Sequence, residues 1–520
     1  MKNLHSKLFF TLFFYLLATA ANVSAEWVLP PIDVSEPGGS ASFPKICYDD
    51  TGTAFIVWNG FRGLTSVVQV SLFDGSTFST PFDLSDVAKN AFGPRICCDN
   101  NGNATAIWYS DNGSFDTVQV SFYDQGTDSW SARQSISQSG KDSRTPDICC
   151  DSDGNAFAVW IEDTGTNTIV LTSRYNGSVW NTPEVLSDPS QDAFEPQVCC
   201  DESGNAFAIW RGKNGTDEPI QSARFNGSIW LPFEDLSPPG GDYDGIAICC
   251  DIDGEAIAIW NRYNPGDNVI QSSHFYDSSW HFLGNVSSGA QNNTNSPDIC
   301  CDPFGNAFAT WRGFNGTNDI IQAAFFNGSS WEPSMDISVP GGTALAPEIC
   351  CDADGNATVT WNRNNGSNFI VQTSFFNGSF WSVPLDLSEP GGSAFIPAIA
   401  CNNQKDILIA WGRSNGTNSI VQATYNLDES DEPTINLEGF RRTNRFPSQS
   451  SVDAILNWSL PFPTSISSYQ IYKNGILIAT VSGTQTSYKD CNLNPCQSYN
   501  YMIIGINEDE EEILSETITI

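Results

Sequence analysis

A chain of 520 residues with 60 Asp and Glu against 23 Lys and Arg repels phosphate backbones, and it has no Lys/Arg runs, so nucleic acid is excluded as a partner. Sixteen cysteines against three histidines point to disulfide chemistry and away from a Ser-His-Asp site or a His-rich metal centre.

Residues 1–25 read as a signal peptide. Lys2 and Lys7 precede an apolar run from Leu8 to Ala21, and Val23-Ser24-Ala25 has the small-x-small form of a cleavage site. The run is too short to span a bilayer, and no other segment approaches the length required, so no transmembrane span is expected in the mature chain. Cleavage before Glu26 takes the formal charge from −37 to −39. No Cys follows the cleavage site to carry a lipid. An exported protein is expected, in the periplasm, on the outer surface or secreted, with an acidic surface that keeps it soluble.

From there a unit of about fifty residues repeats, typified by ICCDSDGNAFAVW at Ile148 to Trp160, with Trp at 58, 108, 160, 210, 260, 311, 361 and 411. Each unit divides into four strand-sized runs. The first is the ICC segment, the second AFAVW, the third of the IVLTSRY type, and the fourth begins near a second Trp and runs to Leu-Ser. D-x-x-G-N separates the first two. Asn-Gly-Ser, a strong hairpin signal, separates the last two at Asn176, Asn226, Asn327 and Asn377. Four strands per period predict an all-β fold, an eight-bladed β-propeller over 26–428. The eighth unit stops after its third strand, and the missing fourth appears ahead of the first unit at Trp27 to Ser35. The ring is therefore expected to close with an N-terminal strand.

Neighbouring residues on a strand point to opposite faces, so the paired cysteines of each unit can reach both adjacent blades. If the second Cys of each blade met the first of the next, Cys97 and Cys351 would face Tyr48 and Ala400. The other register leaves none over: Cys47–Cys98, Cys97–Cys150, Cys149–Cys200, Cys199–Cys250, Cys249–Cys301, Cys300–Cys351 and Cys350–Cys401. Tyr48 and Ala400 then meet at a single junction, and this register is predicted. Vicinal disulfides, thiolate metal ligands and reduced cysteines packed as small hydrophobes are the competing readings.

The one-to-two and three-to-four turns share one end of a propeller and are tight here. The two-to-three loops and blade connections share the other end and vary from unit to unit, so binding residues are expected there. On that end an Arg follows the repeat Trp: Arg211, Arg262, Arg312, Arg363 and Arg413, with Arg62 slightly later. The bland reading is salt bridges to Asp217, Asp267 and Asp319; the sharper one is convergence on an anionic group. The repeated Trp residues are read as inter-blade core. Asp151 and Asp153, Asp251 and Asp253, and Asp352 and Asp354 form D-x-D-G, which hints at calcium, but turn geometry explains it and no metal site is assigned. No catalytic residue or cofactor is assigned.

After a linker at 429–433 the repeat is gone. Over 434–520, Trp458, the Tyr469-x-Ile471-Tyr472-x-Asn474-Gly475 hairpin and Leu493 followed by Tyr499 resemble a fibronectin type III module. That implies a β-sandwich used as a spacer or binding unit. Cys491 and Cys496 depart from the resemblance and are close enough for a local disulfide, and no Arg-Gly-Asp is present. The repeat unit, P-x-I-x-x-D-x-x-G-N-A-x-A-x-W, resembles bacterial exported repeat propellers, similar to sialidase-type propellers in blade length. The Asp box Ser-x-Asp-x-Gly-x-Thr-Trp is absent, so catalytic roles are not carried over. Quinone-dependent alcohol dehydrogenases are a second comparison, eight-bladed with one vicinal cysteine pair, whereas Cys-Cys here recurs in six blades. The expectation is an exported, non-catalytic binding protein whose partner is a glycan or an extracellular or envelope protein. A glycan-acting hydrolase and a structural envelope scaffold are the alternatives.

Overall fold

The computed structural model describes residues 27–263, 268–287, 294–414, 416–427, 436–446, 449–459, 467–474, 476–494, 498–506 and 512–519. The predicted signal peptide and the 429–433 linker lie outside them. The described residues are all-β, and no helix among them is long and apolar enough to cross a membrane. The chain divides into two compact units, Met1–Leu427 and Asp428–Ile520.

The first unit is a series of antiparallel sheets of β-propeller type, numbered here 1 to 8 in order of their inner strands. These are Ala41–Tyr48, Ala91–Cys98, Asp142–Cys150, Ala193–Cys200, Asp242–Cys250, Asn295–Cys301, Ala344–Cys351 and Ala394–Cys401. Sheet 3 shows the pattern: Asp142–Cys150, Ala156–Asp163, Thr168–Tyr175 and the short Glu184–Val185 pair in that order. Its second strand, AFAVW, is apolar on both faces because both are covered. Ala156, Ala158 and Trp160 pack toward sheet 2, and Phe157 and Val159 toward sheet 4.

All eight repeat Trp residues are fully buried, and truncating one to Ala should cost roughly 3–5 kcal/mol. In sheets 1, 2, 4 and 6 the indole Nε1–H donates to a Gln on the third strand, as Trp210 does to Gln221 at 2.9 Å. Gln221 in turn donates to Asp235 at 2.8 Å. All eight Trp are core, and in these four sheets the polar edge is satisfied within the sheet.

The D-x-x-G-N turn is explained by its own hydrogen bonds. Asp151 Oδ1 accepts from the Asp153 and Asn155 backbone N–H groups, and Oδ2 from the Asn155 side chain at 2.8 Å. Asp201, Asp302 and Asp352 repeat the arrangement. The glycine before the Asn has positive φ, 80° at Gly154, which favours the residue without a Cβ. The turn carboxylates are thus used by the turn, and no group of metal-ligating side chains occurs among the described residues.

Each sheet packs on the next and the eighth packs on the first. The outer edge of sheet 8 is completed from the front of the chain, where Ile32 and Asp33 pair with Ala423 and Gln422. Seven disulfides join successive sheets: Cys47–Cys98, Cys97–Cys150, Cys149–Cys200, Cys199–Cys250, Cys249–Cys301, Cys300–Cys351 and Cys350–Cys401. Their Cα separations, 5.5 to 5.9 Å, suit the bond. A chain with seven disulfides belongs to an oxidising compartment.

The second unit has two antiparallel sheets. One is ordered Asn436–Phe446, Gln449–Ser459, Ser487–Leu493, and the other Ile476–Ser482, Ser468–Lys473, Asn500–Ile506, Glu512–Thr519. Ala454, Leu456, Trp458, Tyr469, Ile471, Leu493, Tyr501 and Ile503 form their common core, with Trp458 and Tyr469 in edge contact at 5.4 Å. Cys491 is exposed, and the expected Cys491–Cys496 bridge involves Cys496, which lies outside the described residues. The strand bulges between Asp490 and Leu493, burying Leu493 and turning Cys491 to solvent.

Candidate functional site

At both ends of the first unit Asp and Asn side chains are used by turns, as Asn112, Asn315 and Asn365 are in the variable loops. At the tight-turn end the turns centre on Asp. At the other end stand the arginines, and strand parity decides where each one points. The repeat Trp of every sheet faces the preceding sheet, as Trp361 of sheet 7 does in a cluster with Phe308 and Ile321 of sheet 6. An Arg two residues after the Trp shares its face, and an Arg one residue after it takes the opposite face. Arg211 of sheet 4 and Arg262 of sheet 5 therefore enter the seam between sheets 4 and 5. Arg312 of sheet 6 and Arg363 of sheet 7 enter the seam between sheets 6 and 7. Arg413 faces sheet 7, and Arg62, four residues after Trp58, faces sheet 8. The six form no single ring.

Three of them are neutralised, by carboxylates other than Asp217, Asp267 and Asp319. Arg62 pairs with Glu36 at 2.5 Å and Asp83 at 2.9 Å. Arg211 pairs with Glu218 at 2.5 Å and Glu195 at 3.2 Å and lies over the Phe194 ring. Arg413 pairs with Glu389 at 3.1 Å. Asp217 instead accepts from the Gly240 N–H, in a cleft of about 280 Å³ between sheets 4 and 5 that Asp235 and Tyr243 also line. Asp267 lies outside the described residues. Among the described residues no carboxylate comes within 4.0 Å of Arg312 or Arg363.

The same end exposes apolar surface on sheets 1 and 2: Phe43, Phe61, Leu64, Phe92 and Phe115, with Leu64 at the tip of its loop 99% exposed. Exposed apolar side chains mark a contact surface where they form a contiguous patch.

A second constellation lines the centre, on the residue after the repeated Pro: Lys45, Arg95, Asp147, Gln197, Asp298 and Glu348, with Ala398 in sheet 8 and, after Ile246 in place of the Pro, Ala247 in sheet 5. Each inner strand slips register just before it. The residue at the slip is left-handed throughout, from Phe43 at φ 56° to Ile396 at φ 52°, with Gly at 93 and 245. Such a bulge re-aims the side chain that follows. Lys45 Nζ reaches Glu348 of sheet 7 at 2.5 Å, passing Ala398 of sheet 8, so these side chains meet across a central channel. Arg95 approaches Asp147 at 3.5 Å.

Three members also tie their sheet to the next. Asp147 accepts from the Val198 N–H at 3.0 Å, Asp298 from the Ile349 N–H at 2.9 Å, and Gln197 donates to the Ile246 carbonyl at 2.9 Å. Burial raises the Asp147 carboxyl above its usual range, with Arg95 opposing. Burial together with the nearby Glu348 pushes Asp298 up to about 7, despite its backbone hydrogen bond. The sequence reading missed this set. Its signal was present as a charged residue after five of the seven repeated Pro residues. The histidines lie elsewhere in sheet 5, His274 bonded to Glu255 and His281 to Ser279.

No family profile and no curated protein sequence matches the chain. Solved structures do. A protein of unknown function from Dyadobacter fermentans matches at TM-score 0.40 and 11% identity, covering 76% of this chain and 100% of its own. A copper-containing fungal alcohol oxidase of the AA5 family matches at TM-score 0.41 and 12% identity, over 96% of this chain and 99% of its own. A leech intramolecular trans-sialidase matches at TM-score 0.35 and 9% identity, over 73% and 89%. No residue role is carried over from any of them.

Proposed function

We propose that the chain is an exported, non-catalytic binding protein. Its first unit is an eight-bladed propeller closed by its N-terminal strand, its second a fibronectin type III-like module, and the variable-loop end of the propeller engages a glycan or an envelope protein. The observation that carries this reading is the set of aromatic and aliphatic side chains left exposed at the variable-loop end of sheets 1 and 2. Phe43, Phe61, Leu64, Phe92 and Phe115 stand in solvent there, with the partly exposed Arg62 next to Phe61 in the chain. Aromatic faces and planar cations suit the apolar faces and anionic substituents of sugars.

The test is binding of the mature chain to an array of glycans and envelope components. Saturable binding that weakens at least tenfold in a Phe61→Ser, Phe115→Ser variant, without turnover, supports the reading. A blank across the array moves the weight to a structural scaffold.

A second reading, a glycan-acting hydrolase, is favoured by one arrangement: burial and the nearby Glu348 push the Asp298 carboxyl up to about 7. A proton donor beside a carboxylate is the pairing that glycoside cleavage uses. Turnover of any glycan that disappears in both Asp298→Asn and Glu348→Gln would establish it.

A further inference from the structure

The repeats act as internal controls for the arginines, and they single out one seam. Arg211 of sheet 4 is neutralised by Glu218 on its own loop and by Glu195 at the bulge of its inner strand. In sheet 6 the corresponding positions carry Asp319, one methylene shorter, and Ser296. Arg312, which corresponds to Arg211, makes no ion pair with Asp319.

Arg62 and Arg413 are each neutralised by the Glu of a Ser-Glu-Pro-Gly-Gly connection, Glu36 and Glu389. The connection leading into sheet 7 reads Ser338-Val339-Pro340-Gly341-Gly342. Val339 stands where that Glu would be, and Arg363 is left with a single long hydrogen bond to the Pro340 carbonyl at 3.5 Å. Asp386, the other carboxylate in reach of that face, is bonded to Gln372 at 2.6 Å.

Both losses fall in the same seam. Parity assigns Arg312 and Arg363 to the seam between sheets 6 and 7, so two guanidiniums without an ion pair share one seam in a chain of formal charge −37. Two like charges held together repel, and an oxyanion between them supplies the missing charge with planar, two-pronged hydrogen bonding.

We propose that the seam between sheets 6 and 7, at the variable-loop end, is an anion-binding subsite built on Arg312 and Arg363, and that it takes the carboxylate or sulfate group of an acidic glycan. The glycan part rests on the binding reading above; the anion site stands on the two arginines.

The experiment uses the whole mature chain with sodium glucuronate and sodium sulfate as probes, against sodium chloride at matched ionic strength. The proposal expects either probe to raise the melting temperature of the wild type by mass action. It expects at least a tenfold loss of apparent affinity in Arg312→Gln with Arg363→Gln, about 1.4 kcal/mol. Arg133→Gln, which removes an exposed charge elsewhere, should change affinity less than twofold. Val339→Glu is the second variant. It leaves both arginines in place, restores the carboxylate that serves Arg62 and Arg413, and should weaken probe binding comparably without lowering the melting temperature.

No probe-specific stabilisation, or equal stabilisation in the double variant, overturns the subsite. If the probes act through the arginines but uronate- and sulfate-bearing oligosaccharides bind no better than the free ions, the subsite stands and the glycan reading falls. If such oligosaccharides bind equally well to the double variant, the glycan reading stands and the subsite falls.

Discussion

Seven of the eight seams around the first unit are crossed by a disulfide, and the eighth, between sheets 8 and 1, is crossed by a strand. The stapled seams close loops of 51 to 53 residues. A bridge between positions 48 and 400 would close one of 352, at an extra chain-entropy cost of roughly 1.7 kcal/mol in a flexible chain. Near neighbours are easily stapled as they fold, whereas the ends of the array meet only when the ring is complete.

The eighth seam is held by other means. Val34 N–H donates to the Val421 carbonyl, and the Val421 N–H to Ser35 Oγ, each at 2.9 Å, the same bonds each sheet makes at its outer edge but here supplied by the front of the chain, which then leads into sheet 1. Phe73 packs on Tyr425 and Tyr48, where other seams have sulfur. Asn403 and Gln404 of the sheet 8 turn bond to Asp50 of the sheet 1 turn. Backbone pairing and apolar packing do at this seam what covalent bonds do at the rest.

The most damaging way to break that comparison is Val34→Asp, which places an unpaired charge among Ala410, Val421 and Trp58. A loss of about 4 kcal/mol or more is expected, read as a lower melting temperature. Hydrogen exchange should rise first at the amides of Val421 and Ala423 while the stapled seams stay protected.

Asp298→Asn probes a stapled seam instead. A carboxyl whose folded pKa is raised holds its proton more tightly in the folded state, so ionisation destabilises the fold as pH climbs from about 4 toward 7. Asn can still accept from the Ile349 N–H. The variant should match wild type near pH 4 and exceed it above pH 7 by on the order of 2–4 kcal/mol, measured as melting temperature against pH. An unchanged difference across that range would sink the idea that Asp298 is held protonated.

Tyr48→Cys with Ala400→Cys makes the eighth seam like the others. Mass spectrometry after thiol blocking should find the bridge formed. Net stability should change by no more than ~2 kcal/mol, since the disulfide gain is offset by the lost Tyr48 packing. Smallest of all, Arg413→Gln removes one partly exposed ion pair with Glu389 and should cost less than about 1 kcal/mol.

Much of the sheet repeat is legible in the sequence because its signals are local. Trp at a fixed strand position, Asn-Gly between runs, and Asp-x-x-Gly-Asn turns each specify geometry within a few residues. The fourth strands are less so, since most contribute only two paired residues, such as Glu184–Val185, beyond an isolated bridge at Trp180.

The candidate site is where linear reading fails. Arg312 and Arg363 look equivalent to Arg211 and Arg413 until strand parity and the carboxylates of the neighbouring sheet are known. Lys45, Asp298 and Glu348 look like noise at a variable position, because the bulge that turns them inward and the reach of Lys45 past Ala398 are properties of the closed ring.

The overlap of the seven bridges has a consequence for attack by proteases. Each loop closed by one bridge begins before the previous loop has ended, as Cys97 precedes Cys98 and Cys149 precedes Cys150. Every peptide bond from Cys47 to Cys401 is therefore spanned by at least one disulfide. A single cut anywhere in that stretch frees no fragment, and the two pieces stay linked like rings in mail. Only reduction, or two cuts inside one cysteine-free stretch, lets material escape. The variable loops can thus be displayed to a hostile exterior without each becoming a point at which the molecule comes apart.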